Sequence, residues 1–590
     1  MEIKIDYSKD KLLCEFSRIT IKDRYMLPGE KSPQEAFARA AKAFADDEEH
    51  AQRIYNYVSN QWFMFSSPIL SNAGTKNGLP ISCFLNYVDD SIEGLTDTFT
   101  ENALLSTRGG GIGTYWGKVR EIGADVGEDR KTLGVIPHVK IQDSQTLGYA
   151  QGVTRRGSAA AYLDITHPEI EEFLDIRKPT GDASRTCPNI HQGVLITDAF
   201  MELIDKCEKH PGTDDSWDLI SPHTGKVVKT VSAKALWIKI LHNRLETGEP
   251  YLVNVDRMNQ KLPQFLKDQG LYVYQSNLCT EITLPTNAER TAVCCLSSLN
   301  LEHFYQWRND EMFIPDLMRM LDNVLQYFID NAPEGMWRAI ESAIDERSVG
   351  LGAMGFHAFL QLHDIPFESL AARLANIQMF DHISSEAKRG DDILLAERGP
   401  CPASAGTDME CRFSHKMAIA PNATSSIMCD NTSPSTEPYP ANIYVQKTKS
   451  GSYVYKNPYL EYVLTEHGQD TDEVWKSILN NKGSVQHLDF LTDHEKLVFK
   501  TSMEIDPMWI VEHADARGAF ICQAQSMNIF LPADVDKEVL HRVHKKAMMA
   551  PNIKSMYYLR SLAKNRAESS QNKERHQYNL NQDDCLACEG

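Results

Sequence analysis

The segment Asn277-Leu278-Cys279-Thr280-Glu281-Ile282, NLCTEI, sets an amide, a thiol and a carboxylate at alternate positions. In extended chain, alternate side chains point the same way, so Asn277, Cys279 and Glu281 can converge on one small object. A metal or a cysteine-nucleophile site would fit as well as a redox centre. The positions of the other cysteines decide among them.

The chain has 590 residues, 42% hydrophobic and 24% charged, an ordinary globular composition. This length exceeds the usual size of one domain, although enzymes built on barrels often exceed it as a single unit. No run approaches the roughly 18 consecutive apolar residues of a membrane span. The start, MEIKIDYSKD, lacks the apolar core of a secretory signal, so a cytosolic protein is expected. A formal net charge of −20 disfavours a nucleic-acid backbone as partner but leaves room for small phosphorylated ligands. The thirteen cysteines are too sparse for a disulfide scaffold, and their odd number reads as mostly reduced thiols. Cys14, Cys187, Cys207, Cys401, Cys411, Cys429 and Cys522 are expected to be small buried hydrophobes.

Ser32-Pro33-Gln34-Glu35 forms a capping box, followed by Phe37, Ala40, Ala41 and Phe44 at helical spacing, so the N-terminal region is helical. Helical periodicity also marks Leu317 to Ile329 and Leu370 to Phe380, whereas GVIPHVKI, AAAYLDI, NIHQGVLI and NIYVQ read as short buried strands. Short strands alternating with helices over several hundred residues indicate an α/β architecture. The expected division is an N-terminal helical region over 1–65, a catalytic domain over 66–563 and a flexible tail over 564–590. The tail, KNRAESSQNKERHQYNLNQDD followed by CLACEG, is almost devoid of apolar residues before its two cysteines. Fully extended at about 3.3 Å per residue, the span from Tyr558 to Cys585 reaches up to roughly 90 Å.

Several motifs have ordinary explanations. Gly350-Leu351-Gly352-Ala353-Met354-Gly355 matches the dinucleotide fingerprint formally, but ESAIDERS precedes it and no acid lies near Leu374 to Met379, so tight backbone packing is expected. The glycines of Arg108 to Gly113, RGGGIG, fail the spacing and instead permit close approach of another segment. Asp47-x-x-His50 is a partial di-metal motif on a charged, surface-like stretch, and His541-x-x-His544 reads as a solvated face. No metal site is expected. Cys585 and Cys588 have no second CxxC to complete a zinc ribbon and read as a redox dithiol. With Cys279, Cys83 and Cys294 they compose a disulfide relay, in which a mobile dithiol re-reduces a buried pair by exchange. The Ser/Thr-rich Pro421 to Ser426 can start a helix or hold an anion, and Tyr557-Tyr558 taken alone is a core or interface pair.

From SSPILSNAGT and SCFL through RGGGIG, NLCTEI, CCLSSLNL, PNATSS, PSTEP and MYYLR to the CxxC terminus, the chain resembles the large, catalytic alpha subunit of class I ribonucleotide reductase. The resemblance implies a ten-stranded α/β barrel of two five-stranded halves, with a finger loop carrying Cys279 through its centre. It implies that Cys279 becomes a thiyl radical that removes the 3′ hydrogen of a ribonucleotide, that Glu281 takes the 3′-hydroxyl proton, and that Asn277 holds the substrate hydroxyls and orients Glu281. Cys83 and Cys294 would supply the electrons for 2′-deoxygenation and end as a disulfide. Cys585 and Cys588 would restore them, with thioredoxin or glutaredoxin behind. Cys294 rather than Cys295 matches the family's second cysteine.

By the same resemblance, Tyr557 and Tyr558 relay an oxidising equivalent from a separate small subunit. That subunit would hold the radical cofactor, and no cofactor would be bound in this chain. Ser67, Ser82, Asn422, Thr424 and Ser425 would hold the substrate, with Arg156, in QGVTRRGS, at its base. Asn422 stands where the family commonly has Ser or Thr. Asp90 and Arg120 would bind nucleoside triphosphate effectors in a homodimer. The family's longer members begin with an ATP-cone for which the first 35 residues leave no room, so inhibition by dATP through such a site is not expected. The implied activity is reduction of ribonucleoside diphosphates for DNA synthesis. A triphosphate-using or adenosylcobalamin-dependent reductase, or a catalytically silent nucleotide-binding subunit, would be the alternative.

Overall fold

The computed structural model describes residues 1–561 apart from 77, 128, 150–156, 179–180, 449–450 and 533. Arg156, Cys585 and Cys588, and the tail expected over 564–590, lie outside the described residues.

Three helices, Glu15–Arg24, Pro33–Ala43 and Glu48–Ser59, open the chain. In the second, Ser32 is the N-cap, but its hydroxyl accepts the Gln34 N–H rather than the Glu35 N–H of the expected capping box, while the Glu35 carboxylate reaches back to the Lys31 N–H. Its apolar face buries Phe37, Ala40 and Ala41. The short strand Phe63–Phe65 then pairs antiparallel with a strand of the main sheet, so the end of the 1–65 region already belongs to that sheet.

The main sheet begins with five parallel strands in chain order: β1 (Cys83–Tyr87), β2 (Gly111–Tyr115), β3 (Ser158–Asp164), β4 (His191–Ile196) and β5 (Tyr251–Asn254). Helices such as Ile92–Thr107 and Ala233–Thr247 make the crossovers, and a strand covered on one face by helices and on the other by a core is apolar throughout. The second half starts with β6 (Ala292–Asn300), antiparallel to β1, and β7 (Val349–Met354), parallel to β6. Residues 415–420 bond to β7 through Val349 N–H to His415 O and Leu351 N–H to Lys416 O. Residues 523–531 follow, joined by Ile419 N–H to Ala524 O and Ser526 N–H to Ile419 O. Residues 554–561 come last: Tyr557 N–H bonds to Met527 O, Ile529 N–H to Tyr558 O, and Ser555 and Met556 pair antiparallel with β5. Ten segments thus run round a barrel of two parallel halves, joined antiparallel at β1/β6 and at β5/554–561.

Four sequence readings change. GVIPHVKI is not a strand but the start of the helix Ile136–Gly148, with Pro137 in its first turn, where no N–H is needed. Its buried residues Ile136, Val139, Gln142, Asp143 and Thr146 follow a helical spacing that two of its polar members hide. His544 is buried, with Nε2 accepting from Arg244 Nε at 3.0 Å, and His541 Nδ1 accepts from Trp237 Nε1, so this pair is not a solvated face. His50 is buried against the Asp316 carbonyl, while Asp47 caps its helix. Finally, Cys14, Cys411 and Cys522 are only half-buried, and Cys14 and Cys522 accept backbone N–H groups. Gly350 and Gly352 lie in β7, where a Cβ on Gly350 would overlap the Leu296 side chain, and Gly355 follows it at φ +82°. NIYVQ falls in a hairpin, Ile443–Thr448 with Gly451–Lys456, away from the barrel.

Candidate active site

Residues 271–286 run through the barrel from β5 toward β6, and Gln275 to Thr286 are buried throughout. One wall is close enough to forbid a side chain: a Cβ on Gly113 would overlap the Ser276 carbonyl oxygen. Gln275 Nε2 donates to Asn86 O of β1 at 2.8 Å, and Tyr162 Oη of β3 donates to Asn277 O. From the other half, Ala524 N–H donates to Glu281 O at 2.9 Å and Gln523 Oε1 accepts from Thr283 N–H at 3.1 Å. The loop is therefore clamped by both half-barrels.

Asn277, Cys279 and Glu281 do not converge by strand alternation. Leu278 to Thr280 make a turn, with Thr280 N–H on Asn277 O and Thr280 at φ +70°, a left-handed conformation that costs a β-branched residue of order 1–3 kcal/mol. Asn277 Oδ1 accepts the Ile282 N–H at 3.1 Å, which leaves its amide hydrogens for Glu281. Ser526 Oγ lies within bonding reach of both Cys279 O and Glu281 Oε2.

Glu281 is buried, and burial pushes its carboxyl up to about 7, moderated by hydrogen bonds from Asn277, Ser526 and Cys83. A carboxylate poised there can accept a proton near neutral pH. Cys83 Sγ is 3.9 Å from Glu281 Oε1. In the β1/β6 register Cys83 lies opposite Cys294, whose sulfur accepts from Gln523 Nε2 at 3.6 Å. Neither cysteine is in a disulfide, and burial pushes the thiol of Cys294 well up.

Tyr557 belongs to the same buried cluster as Leu278 and Cys279. Its ring centroid is 4.3 Å from that of Tyr558 and 4.8 Å from that of Tyr251. Arg244, wholly buried, donates to Tyr557 O at 3.1 Å. Tyr558 is half-buried, with Oη 3.3 Å from His191 Nδ1 and the Arg560 guanidinium over its ring. The pair thus runs from the barrel interior toward its surface.

At the barrel's other side the short helix Ala423–Met428 packs against Phe63–Phe65. Ser425 Oγ is buried there with no protein partner, beside buried Thr424. Asn422 differs from the expectation for a phosphate ligand. Its amide donates to Ala353 O and Ala420 O, and its Oδ1 accepts from Ser298, so its polar atoms already serve the backbone and β6. Ser67 Oγ sits 2.8 Å from Tyr25 Oη, and Ser82 is buried next to Cys83. Far from this cluster, Arg120 Nε donates to Asp90 Oδ2 at 2.7 Å. Among the described residues, no group of three or more His, Cys, Asp or Glu could hold a metal ion, and no helix is long and apolar enough to cross a membrane.

The sequence reading missed Ser526, Gln523, Tyr162, Tyr251 and Arg244. The signal for the first two was available: Gln523, Gln525 and Ser526 are polar residues in a stretch that ends in the apolar Ile529-Phe530-Leu531. Nothing local marked Arg244.

Family models named "Ribonucleotide reductase, barrel domain" match residues 81–411 and 404–559, and one named "Ribonucleotide reductase, all-alpha domain" matches residues 12–78. The chain belongs to the ribonucleotide reductase large-subunit family. It is 45% identical to the ribonucleoside-diphosphate reductase large subunit of Invertebrate iridescent virus 3, over 95% of each chain. It is also 45% identical to a putative ribonucleoside-diphosphate reductase large subunit of Frog virus 3, over 92% of this chain and 93% of that one. A class Id ribonucleotide reductase alpha subunit from Actinobacillus ureae superposes with a TM-score of 0.82 at 33% identity, covering 95% of this chain and 98% of its own. As a class I ribonucleotide reductase large subunit the chain is an oxidoreductase, and it implies a small-subunit partner.

Proposed function

We propose that this chain reduces ribonucleoside diphosphates at C2′, with Cys279 as the radical-bearing thiol and Cys83 and Cys294 as the reductant. An oxidising equivalent from the small subunit, passed inward through Tyr558 and Tyr557, removes the hydrogen of Cys279. Cys279 then takes the 3′ hydrogen of the ribose, while Glu281, held by Asn277 and Ser526, accepts the 3′-hydroxyl proton. One of Cys83 and Cys294 protonates the departing 2′-hydroxyl, which leaves as water. The second thiol's hydrogen goes to C2′, the two thiols having given up two electrons end as a disulfide, Glu281 returns its proton to the 3′ oxygen, and Cys279 returns its hydrogen to C3′. Ser425, Thr424, Ser67 and Ser82 bind the diphosphate end, with the orphaned Ser425 hydroxyl as the strongest support. Cys585 and Cys588, served by thioredoxin or glutaredoxin, re-reduce the pair. Asp90 and Arg120 bind a nucleoside triphosphate effector in a homodimer, and Arg156 meets the substrate base.

The observation that carries this reading is the opposition of Cys83 and Cys294 across β1/β6 with Glu281 within reach of Cys83. The test is conversion of CDP to dCDP by the chain with its cognate small subunit and thioredoxin. Cys279→Ser should abolish turnover and leave nucleotide binding intact; turnover retained by that variant would overturn the mechanism.

A further inference from the structure

The loop that follows the helix Leu370–Arg398 is closed on itself by one buried carboxylate. Asp322 accepts from Arg398 Nη1 at 2.5 Å and from Arg412 Nη2 at 3.0 Å, so both ends of the loop are tied to a single side chain. Arg412 Nη1 also donates back to the carbonyls of Arg398 and Gly399. This closure sets Cys401 against Cys411, with the Cys401 N–H on Cys411 O at 2.8 Å. The two sulfurs are also within hydrogen-bonding reach of each other, so only a short side-chain movement separates them from the roughly 2.05 Å of a disulfide bond.

Ser404 fixes the pair further. Its Oγ accepts the Cys411 N–H at 3.1 Å, and the Cys401 S–H has two acceptors in reach, Ser404 Oγ at 3.3 Å and the Cys411 sulfur. Both thiols are reduced, Cys401 is buried, and Cys411 is half-buried. We propose that Cys401 and Cys411 form a third redox dithiol of this chain, apart from Cys83/Cys294 and Cys585/Cys588, which reacts with a hydroperoxide at Cys411 and closes to a Cys401–Cys411 disulfide.

The local chemistry favours Cys411 as the attacking sulfur. The hydrogen bond from the Cys401 thiol holds the Cys411 thiol below its ordinary range, with help from Ser404 and the Lys416 charge, whereas Cys401 is pushed up. The Cys411 thiolate attacks one peroxide oxygen, the O–O bond breaks, and the other oxygen leaves as water or an alcohol after taking a proton. Cys411 is then a sulfenic acid. The Cys401 sulfur attacks it, the S–S bond forms, the S–O bond breaks, and the hydroxyl leaves as water with the Cys401 proton. Two electrons pass from two thiols to one peroxide. Nothing in these steps depends on Cys279 or on a nucleotide. The site nevertheless adjoins the catalytic loop: Ala403 O, inside the closed loop, accepts from Gln269 Nε2 at 2.9 Å, just before residues 271–286.

Trypsin cuts after Arg398 and Arg412, so one peptide, GPCPASAGTDMECR, carries both cysteines. The full-length reduced protein is treated with stoichiometric hydrogen peroxide, alkylated, digested and weighed. The expected result is a peptide two hydrogens lighter with no alkyl group, which accepts two alkyl groups after treatment with dithiothreitol. In Cys401→Ser, Cys411 should be trapped by dimedone as a sulfenic acid, and in Cys411→Ser, Cys401 should stay reduced. A wild-type peptide fully alkylated at peroxide levels that oxidise half of the protein's total thiols would overturn the proposal. So would a Cys401→Ser protein that takes up no dimedone at Cys411.

Discussion

Cys83 and Cys294 stand directly opposite each other across the antiparallel junction of the two half-barrels. Opposed residues in such a pair have Cβ atoms about 4.5–5.5 Å apart, a short closing motion from the roughly 3.8 Å of a disulfide. Oxidation of this pair therefore needs no rearrangement of either strand. Replacing either cysteine with serine should lower multiple-turnover dCDP formation by at least about 10³-fold, the scale on which members of one catalytic unit fail together. Nucleotide affinity should be unchanged. A serine variant keeping a tenth of the wild-type rate would remove the pair from the mechanism.

The pH dependence of the reaction should report Glu281. As a base it must be ionised, so kcat/KM for CDP should rise with pH through a limb near 7, the value to which burial lifts the carboxyl. Glu281→Gln should erase that limb together with about 10²-fold or more of the rate. A limb that persists in the glutamine variant would belong to another group.

Glu281 also couples to stability, with a definite sign. The folded protein keeps this carboxyl protonated up to about 7, against the usual 4.5, so its favourable contribution is fully present below the unfolded value and is lost as pH rises toward 7. The lost amount is on the order of 3 kcal/mol. Urea denaturation of Glu281→Gln should show a stability gain over wild type that grows between pH 5 and pH 8. Parallel curves at the two pH values would contradict the lifted carboxyl.

Tyr557→Phe keeps the ring that packs 4.3 Å from Tyr558 and removes only the phenolic oxygen. The melting temperature should move by no more than a few degrees, while turnover falls below detection. Full activity in this variant would rule out the tyrosine pair as the inward route.

Asp322 accepts from Arg347, Arg398 and Arg412 while wholly buried. Asp322→Ala leaves the Arg347 and Arg412 guanidinium groups without a carboxylate, Arg398 keeping Asp46, and should cost about 3–5 kcal/mol in chemical denaturation. Limited proteolysis should then cut within 399–412. A loss below 1 kcal/mol would show that the arginines find other partners.

The half of the barrel built from regular strands was legible, because AAAYLDI and NIHQGVLI are apolar runs of strand length. The segments 415–420 and 523–528 were not, since each makes only a few ladder bonds, and the second carries Gln523 and Ser526, polar residues that bond the interior loop. GVIPHVKI misled because its buried face includes Gln142 and Asp143, which look like surface residues until their partners Trp116 and Asn189 are known. The chemistry of NLCTEI could be read from its residue types, but its geometry could not. A turn with Thr280 in a left-handed conformation, rather than strand alternation, brings Asn277 to Glu281.

The closure of the barrel by residues 554–561 bears on how the chain comes off the ribosome. The partner of β5 in that closure is made roughly 300 positions later, and contacts so distant in sequence form slowly. Until that last piece docks, the barrel around the loop bearing Cys279 stays open between residues 523–531 and β5, and Tyr557 has not arrived. A partly synthesised chain thus carries the thiol proposed to bear the radical without the residue proposed to relay the oxidising equivalent to it, and on that reading radical competence would come late in folding.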